Sequence, residues 1–331
     1  MIAVTGACGF IGSALIWGLN NRGICDVLAV DVSSSIDDKK KANLSSLKYR
    51  ELIDNESFLT DLGKNRYGEM ECIMHMGACS STTETDWEYL KKTNFEYTQA
   101  LAETACRDNI RFIYASSAAT YGDGSAGFSD DHIDLNILKP LNSYGRTKHM
   151  LDLWAYENGL LEKIVGLKYF NVYGPNEYHK QDMRSFINKA FKQISETQQV
   201  RLFKSYRNEY AHGHQVRDFI YIKDVVDMTL HFFDKKDLNG IFNIGTGIPR
   251  TWNDLVKAVF LAMGLAPYIE YIDMPESIKG QYQYYTCADM DKFMRTGFNL
   301  VPLTLEKGVQ DYVHKYLLQD KYLESINRSN L

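Results

Sequence analysis

Met1-Ile2-Ala3-Val4-Thr5-Gly6-Ala7-Cys8-Gly9-Phe10-Ile11-Gly12 decides the fold. Residues 1–5 are of buried-strand type and run straight into Gly6-x-x-Gly9-x-x-Gly12. Ile11, Leu15, Ile16 and Leu19 then recur at helical spacing. Strand, glycine turn and helix in that order form a phosphate-binding corner. The glycines permit a tight turn, close approach of the backbone to a pyrophosphate and close helix-on-strand packing, and the helix N-terminus carries partial positive charge. A second strand at 27–30 ends at Asp31, about twenty residues past Gly12, where an acid can hydrogen-bond a ribose diol. Asp31 favours NAD by that rule, while Lys39, Lys40 and Lys41 offer cations to the 2′-phosphate of NADP, so the choice between them stays open.

Working outward, further strands are expected at 72–76, 111–115 and 164–169, with helix-length segments at 89–107 and 143–158 between them. Strands alternating with helices predict an α/β fold with a doubly wound parallel (Rossmann) sheet. Met76-Gly77-Ala78-Cys79-Ser80 ends one of these strands in small residues, where the chain must pass close to a bound ribose and nicotinamide. Past 170 the regularity weakens. Residues 171–217 mix an amphipathic helix (Phe186, Ala190, Phe191, Ile194) with a polar loop rich in tyrosine and histidine; 219–233, 241–244 and 251–263 then return to strand and helix patterns. The expected division is an NAD(P)-binding Rossmann domain of residues 1–170 plus about 218–245. A smaller, interleaved C-terminal substrate domain takes about 171–217 plus 246–331. No internal repeat or low-complexity segment interrupts this pattern, and the charged run 37–41 reads as a solvated loop.

Composition excludes several alternatives. With 331 residues, 45% of them hydrophobic, the chain can bury a sizeable core without staples. A net charge of −5, with no stretch that concentrates positive charge enough to track a phosphate backbone, argues against nucleic acid. No run approaches the ~18–20 apolar residues of a membrane helix, and the apolar start has no basic n-region or cleavage site, which reads as cytoplasmic with no membrane partner. The six cysteines lack paired CxxC spacing and are expected to be free thiols. His212-x-His214 has no acidic or thiolate partners at ligand spacing, so no metal is expected. Only six prolines occur, so no proline-rich linker separates the two parts and they must pack together.

Tyr144 and Lys148 are four residues apart on the predicted helix and share a face. They form a usable acid/base pair: a nearby ammonium and an oxidised nicotinamide would favour the tyrosine phenolate, and the lysine also has donors for the cofactor ribose. Ser116 and Ser117 follow the strand 111–115, at the end that opens onto the site, where a hydroxyl can hydrogen-bond the reacting oxygen.

Gly6 to Gly12, Tyr114-Ala115-Ser116-Ser117-Ala118-Ala119-Thr120-Tyr121-Gly122 and Tyr144-x-x-x-Lys148 resemble the extended short-chain dehydrogenases that act on nucleotide sugars. Gly77-Ala78-Cys79-Ser80-Ser81-Thr82-Thr83-Glu84, Lys139-Pro140-Leu141-Asn142, Tyr169-Phe170-Asn171-Val172-Tyr173-Gly174-Pro175, His179-Lys180 and Lys279-Gly280-x-Tyr282-Gln283 narrow the resemblance to the ADP-L-glycero-D-manno-heptose 6-epimerase family, to about Tyr312. The resemblance implies an isomerase of lipopolysaccharide precursor synthesis. It would invert C6 of an ADP-linked heptose through a keto intermediate, using tightly bound NADP, or NAD, with no net redox. It implies Tyr144 as one base and Lys180 as the other, with Ser117 polarising the oxygen and Lys148 on the cofactor ribose. Cofactor contacts transfer to Phe10, Ile11, Asp31, Val32, Lys40, Met76, Gly77, Ala78, Cys79, Ser80, Lys148 and Val172, beside Gly6, Gly9 and Gly12. Substrate contacts transfer to Asn171, Leu202, Phe203, Arg217 and Tyr282. Arg217 has the guanidinium geometry that suits a diphosphate, against a rival reading as an ion pair with Asp218. A homo-oligomer, a pentamer, is implied too.

The chain also departs from the family. Gln181-Asp182 replaces Gly-Ser after His-Lys, removing a serine contact and placing an acid expected to favour the Lys180 ammonium. Lys189 and Thr93 replace a histidine and an asparagine, and the loop 204–216 is long. Rival readings are a 4-epimerase or a dehydratase of the same fold, and a non-catalytic NAD(P)-sensing binding protein. Ala118-Ala119, where a dehydratase would carry an acidic pair, argues against the dehydratase; intact Ser117, Tyr144, Lys148 and Lys180 argue against the sensor.

Overall fold

Along the first strand, side chains alternate between two apolar layers: Ile2 and Val4 pack with Leu15, Leu19, Val226 and Leu230, whereas Ala3 packs with Phe58, Leu101, Phe112 and Leu151. A strand apolar on both faces must be covered on both, and this pattern repeats across the sheet. The computed structural model describes residues 1–131, 134–279 and 282–325. Its strands are β1 (Ile2–Thr5), β2 (Val27–Asp31), β3 (Glu51–Asp54), β4 (Cys72–His75), β5 (Arg111–Ser117), β6 (Val165–Tyr169), β7 (Asn171–Tyr173), β8 (Val200–Phe203), β9 (Val216–Arg217), β10 (Phe219–Tyr221), β11 (Gly240–Ile244), β12 (Arg250–Thr251) and β13 (Ile269–Ile272). Seven of them form one sheet in the order β11-β6-β5-β4-β1-β2-β3, and every pair in it is parallel. The chain winds outward from β1 in one direction and from β4 in the other, so a crevice opens at the C-terminal ends of those two neighbours.

The helices Phe10–Asn21 and Ile222–Asp234 cover one face, and Asn55–Gly63, Tyr97–Arg107 and Ser143–Glu157 the other. Each large aliphatic side chain buried between these layers contributes roughly 1.5–3 kcal/mol. The doubly wound parallel sheet expected from the sequence is the one that forms. β3 was not anticipated: Glu51-Leu52-Ile53-Asp54 is an edge strand with charged ends and a half-exposed face, so no apolar run marks it. The segment expected as one helix over 89–107 is continuous but changes pitch, with α-turns at Trp87–Leu90 and Tyr97–Arg107 flanking a π-helical stretch at Lys91–Glu96.

Beyond β6 the chain makes small two-stranded pairings: β7 with β10, β8 with β13, and β9 antiparallel with β12. These stand past the C-terminal edge of the main sheet. Gly280 of the Lys279-Gly280-x-Tyr282-Gln283 motif, and residues 326–331 at the end of the expected substrate domain, lie outside the described residues. Among the described residues no helix is long and apolar enough to cross a membrane.

Candidate active site

The glycine turn is packed so tightly that no side chain fits in it. Gly6 has φ +63, and a Cβ there would lie 2.8 Å from Gly77 Cα; a Cβ on Gly12 would lie 2.1 Å from the Gly6 carbonyl oxygen. The helix Phe10–Asn21 starts at Gly9 with no side-chain cap and no acid in its first turn, which leaves its N–H groups for an anion. Asp31, at the end of β2, accepts from the amides of Cys8 and Val32, both at 2.8 Å, and Lys40 Nζ stands 3.5 Å away. At the end of β4, Gly77 N donates to Thr5 Oγ1, and Asn94 grips the main chain of Cys79 at both its N–H (2.8 Å) and its C=O (3.0 Å). Asn94 sits in the π-helical stretch, whose widened turn lets a buried side chain reach the loop; it also donates to Thr147 Oγ1 at 3.2 Å. The glycine turn, Asp31, Val32, Lys40, Thr5, Gly77 and Cys79 line a cavity of about 980 Å³, with Asn94 bracing the Cys79 loop from behind. The bare turn, open helix end and flanking Asp31 and Lys40 fit a nicotinamide dinucleotide.

Across the cavity, Asn142 Oδ1 accepts from Gly145 N at 2.8 Å and starts the helix Ser143–Glu157. Tyr144, Lys148 and Asp152 then form one stripe at four-residue spacing. Lys148 is fully buried and its Nζ donates to the Ala115 carbonyl at 2.7 Å. Burial pushes its ammonium down to about 8, against the pull of Asp152. Asp152 itself accepts from Lys168 Nζ (2.7 Å), Ser116 Oγ (2.8 Å) and Tyr114 Oη (2.9 Å), and so braces the end of β5 from behind. Tyr144 is hydrogen-bonded to Ser117, yet burial outweighs that bond and holds the phenol above its ordinary range. The phenolate expected from the sequence needs both an ammonium and an oxidised nicotinamide beside Tyr144, and it stays an expectation for the cofactor-loaded site. Lys148 is turned to a backbone carbonyl, and the Ser117 hydrogen bond is what favours the phenolate here.

Lys180 lies in a tight segment, Tyr178–Met183, with its Nζ 5.3 Å from the centroid of the Phe10 ring at the glycine turn. Burial lowers its pKa and Glu177 opposes the shift. The sequence suggested that Asp182 would act on Lys180. Asp182 is exposed instead, and the carboxylate beside Lys180 is the buried Glu177. His179 meets Asn43 Nδ2 through Nδ1 at 3.3 Å, and burial, then the charges of Lys40 and Lys180, push its pKa down to about 4.

Over 318 residues, covering 96% of this chain and 98% of the relative, the sequence is 50% identical to the ADP-L-glycero-D-manno-heptose-6-epimerase of Nitratidesulfovibrio vulgaris (strain DP4). This chain belongs to the ADP-L-glycero-D-manno-heptose-6-epimerase family. Residues 2–245 also match the broader NAD dependent epimerase/dehydratase family. The crystal structure of the Helicobacter pylori ADP-L-glycero-D-manno-heptose-6-epimerase superposes with a TM-score of 0.78 at 29% identity, over 94% of each chain. The UDP-glucuronic acid 4-epimerase of Bacillus cereus, solved in complex with UDP-glucuronic acid and NAD, gives a TM-score of 0.76 at 26% identity over 96% of this chain and 99% of that one. The cofactor of such epimerases is a nicotinamide dinucleotide, in agreement with the geometry around the glycine turn.

In this heptose epimerase the cavity collects Ser117, Tyr144, Lys148 and Lys180. It also collects Gly6, Gly9, Phe10, Ile11, Gly12, Asp31, Val32, Lys40, Met76, Gly77, Ala78, Cys79, Ser80, Asn171 and Val172. Of the three adjacent lysines only Lys40 reaches it; Lys41 pairs with Asp38 on the surface. Leu202, Phe203, Arg217 and Tyr282 do not line it. Leu202 is buried in the main apolar layer, since β8 is packed from behind. Arg217 and Tyr282 pack with each other, their guanidinium and ring 5.3 Å apart, and Arg217 lies 5.6 Å from the ring of Trp252, which does line the cavity. The rival ion pair between Arg217 and Asp218 does not form. Asp218 accepts instead from Thr246, Gly247 and Ala288, and among the described residues no carboxylate bridges to the nearly buried Arg217. Thr93 and Lys189 both line the cavity, as do Trp252 and Arg184, which sequence reasoning passed over. Arg184 sits in the same long stretch as Lys180, and its charge in an otherwise unremarkable loop was the available signal. Asn94 carried none.

Proposed function

We propose that this member of the family converts ADP-D-glycero-D-manno-heptose to its L-glycero epimer at C6 through a keto intermediate, supplying heptose for lipopolysaccharide. The observation that carries the reading is the gathering of Ser117, Tyr144, Lys148 and Lys180 around one glycine turn. A nicotinamide dinucleotide held by the glycine turn, Asp31 and Lys40 would supply reversible hydride acceptance there. Tyr144 Oη moves the hydroxyl proton on one face of the sugar carbon, and Ser117 orients that exchange through its hydrogen bond to Tyr144. Lys180 Nζ moves the proton on the other face. Its low-lying pKa supports the role, because more of the amine is neutral near pH 7 than in a solvated lysine. Lys148, held by Ala115, binds the cofactor ribose.

NADP is the proposed dinucleotide, tightly held: Lys40 offsets the Asp31 charge that would otherwise repel a 2′-phosphate. Arg217, with Tyr282 and Asn171, is proposed to meet the ADP-sugar, Leu202 and Phe203 acting from the neighbouring strand. The division into a dinucleotide part and an interleaved substrate part, and a cytoplasmic location, are proposed from the sequence pattern, and a homo-oligomer from the family resemblance. Light scattering of the purified protein is expected to give the mass of a pentamer, and a monomer would remove that part. Exchanging Tyr144 for Phe tests the chemistry. Epimerisation is expected to fall by a factor of about 10² or more, with dinucleotide still bound; a Tyr144→Phe enzyme of near-normal rate contradicts the assignment.

A further inference from the structure

Glu177 is completely buried, yet neither cofactor chemistry nor proton transfer uses it. Its carboxylate is gripped on both oxygens. Oε2 accepts from Ser185 N at 2.5 Å, and Oε1 accepts from Ser185 Oγ at 2.6 Å and from Tyr312 Oη at 3.0 Å. Glu177 and Ser185 flank the segment that carries Lys180, so these bonds tie its two ends together. The Glu177 carbonyl adds a bond from inside, accepting from Lys180 N at 3.0 Å. Tyr312 belongs to the helix Leu305–Lys315 and also accepts from Asn188 Nδ2 at 3.0 Å, which fixes the clasp to the body of the protein.

Between the tied ends the backbone is strained. Gln181 has φ 47 and ψ −119, a conformation outside the regions open to a residue with a Cβ. Such strain persists only where the surroundings over-determine it. Here the surroundings are the clasp and Arg184, whose Nε donates to the Gln181 carbonyl at 2.7 Å. The strained residue immediately follows Lys180. A clasp that bends the chain at 181 also sets where the Lys180 ammonium is presented, against the Phe10 ring of the dinucleotide turn.

We infer that Glu177 is a positioning residue for Lys180: its buried carboxylate, held by Ser185 and Tyr312, closes the 178–184 segment into the strained shape that presents Lys180 to the cavity. The inference rests on the reading of Lys180 as the second base. Glutamine keeps the bond from Ser185 N through its oxygen and can hold the two hydroxyl oxygens by donating its amide to them, although the hydroxyl protons then lose their acceptor. Alanine keeps none.

Initial rates of C6 epimerisation by the cofactor-loaded full chain, with ADP-D-glycero-D-manno-heptose as substrate, separate these cases. Glu177→Ala is expected to lower kcat by about 10- to 100-fold, with substrate KM and bound dinucleotide unchanged, as misplacing a reacting group does. Glu177→Gln, which keeps the Ser185 N bond and the shape of the clasp, is expected to restore part of that loss. In a Lys180→Ala background, Glu177→Ala is expected to lower the residual rate no further, because it acts through the missing amine. An equal loss in both backgrounds, or a Glu177→Gln enzyme as slow as Glu177→Ala, overturns the inference. If Glu177→Ala fails to fold, Ser185→Ala combined with Tyr312→Phe opens the clasp instead, with the same outcomes. A Lys180→Ala enzyme of normal rate removes the two-base reading itself, whereas a slow Lys180→Ala beside a normal Glu177→Ala removes only the role of Glu177.

Discussion

Lys148 has exchanged its water shell for one backbone carbonyl, and its proton affinity shows the exchange: an ordinary value of 10.5 is pushed down to about 8. Between those two values the unfolded chain binds the proton and the folded chain does not, so this group makes folding more favourable as pH rises. The sign is opposite to that of a lysine gaining a partner. Without cofactor, the wild type is expected to gain about 2 kcal/mol relative to Lys148→Met between pH 7.5 and 9.5, read from urea midpoints at the two pH values. A flat difference would mean that Lys148 titrates as if solvated. Tyr144 shows the same dominance of burial. Its Ser117 hydrogen bond favours the phenolate and loses to desolvation, which holds the phenol above its ordinary range.

The elements divide into those written in local sequence and those that only packing creates. β1, the glycine turn and the helix Phe10–Asn21 were legible because turn chemistry and apolar period agree over a short stretch. Tyr144 and Lys148 were legible because helical spacing fixes their relation and Asn142 marks the helix start. The π-helical stretch at Lys91–Glu96 was not, because no local pattern distinguishes it from the α-turns around it, and with it Asn94 stayed hidden. Glu177 was hidden for another reason. Its partners, Ser185 and Tyr312, come from separate elements, one far along the chain, so its burial is a tertiary fact. Gln181 shows how the two levels conflict: a residue with a side chain sits where the fold demands a glycine-type backbone. Gln181→Gly is therefore expected to raise stability by about 1 kcal/mol, the relieved strain exceeding the extra entropy of the unfolded glycine. Thermal melting gives the answer, and a lower midpoint would show that the side chain contributes more than the strain.

At the scale of the whole molecule, parallel winding outward from β1 and β4 opens one crevice, and the segments beyond β4, β5 and β6 line its rim with Cys79, Ser117, Tyr144, Lys148 and Lys180. Behind Trp252, which lines the crevice, the small pairings of β8 with β13 and β9 with β12 place Arg217 against the Trp252 and Tyr282 rings. That arrangement was beyond the reach of sequence, since the contacts of Leu202, Phe203, Arg217 and Tyr282 depend on packing between distant segments. The central prediction for the molecule is that both faces of a single carbon are served inside this crevice without consumption of cofactor. The direct measurement incubates purified protein with ADP-D-glycero-D-manno-heptose, resolves the two C6 epimers by NMR and follows reduced-nicotinamide absorbance in the same sample. Accumulation of the L-glycero epimer with no build-up of reduced cofactor is the predicted result. An unchanged sugar, or one oxidised in step with rising reduced cofactor, would contradict it.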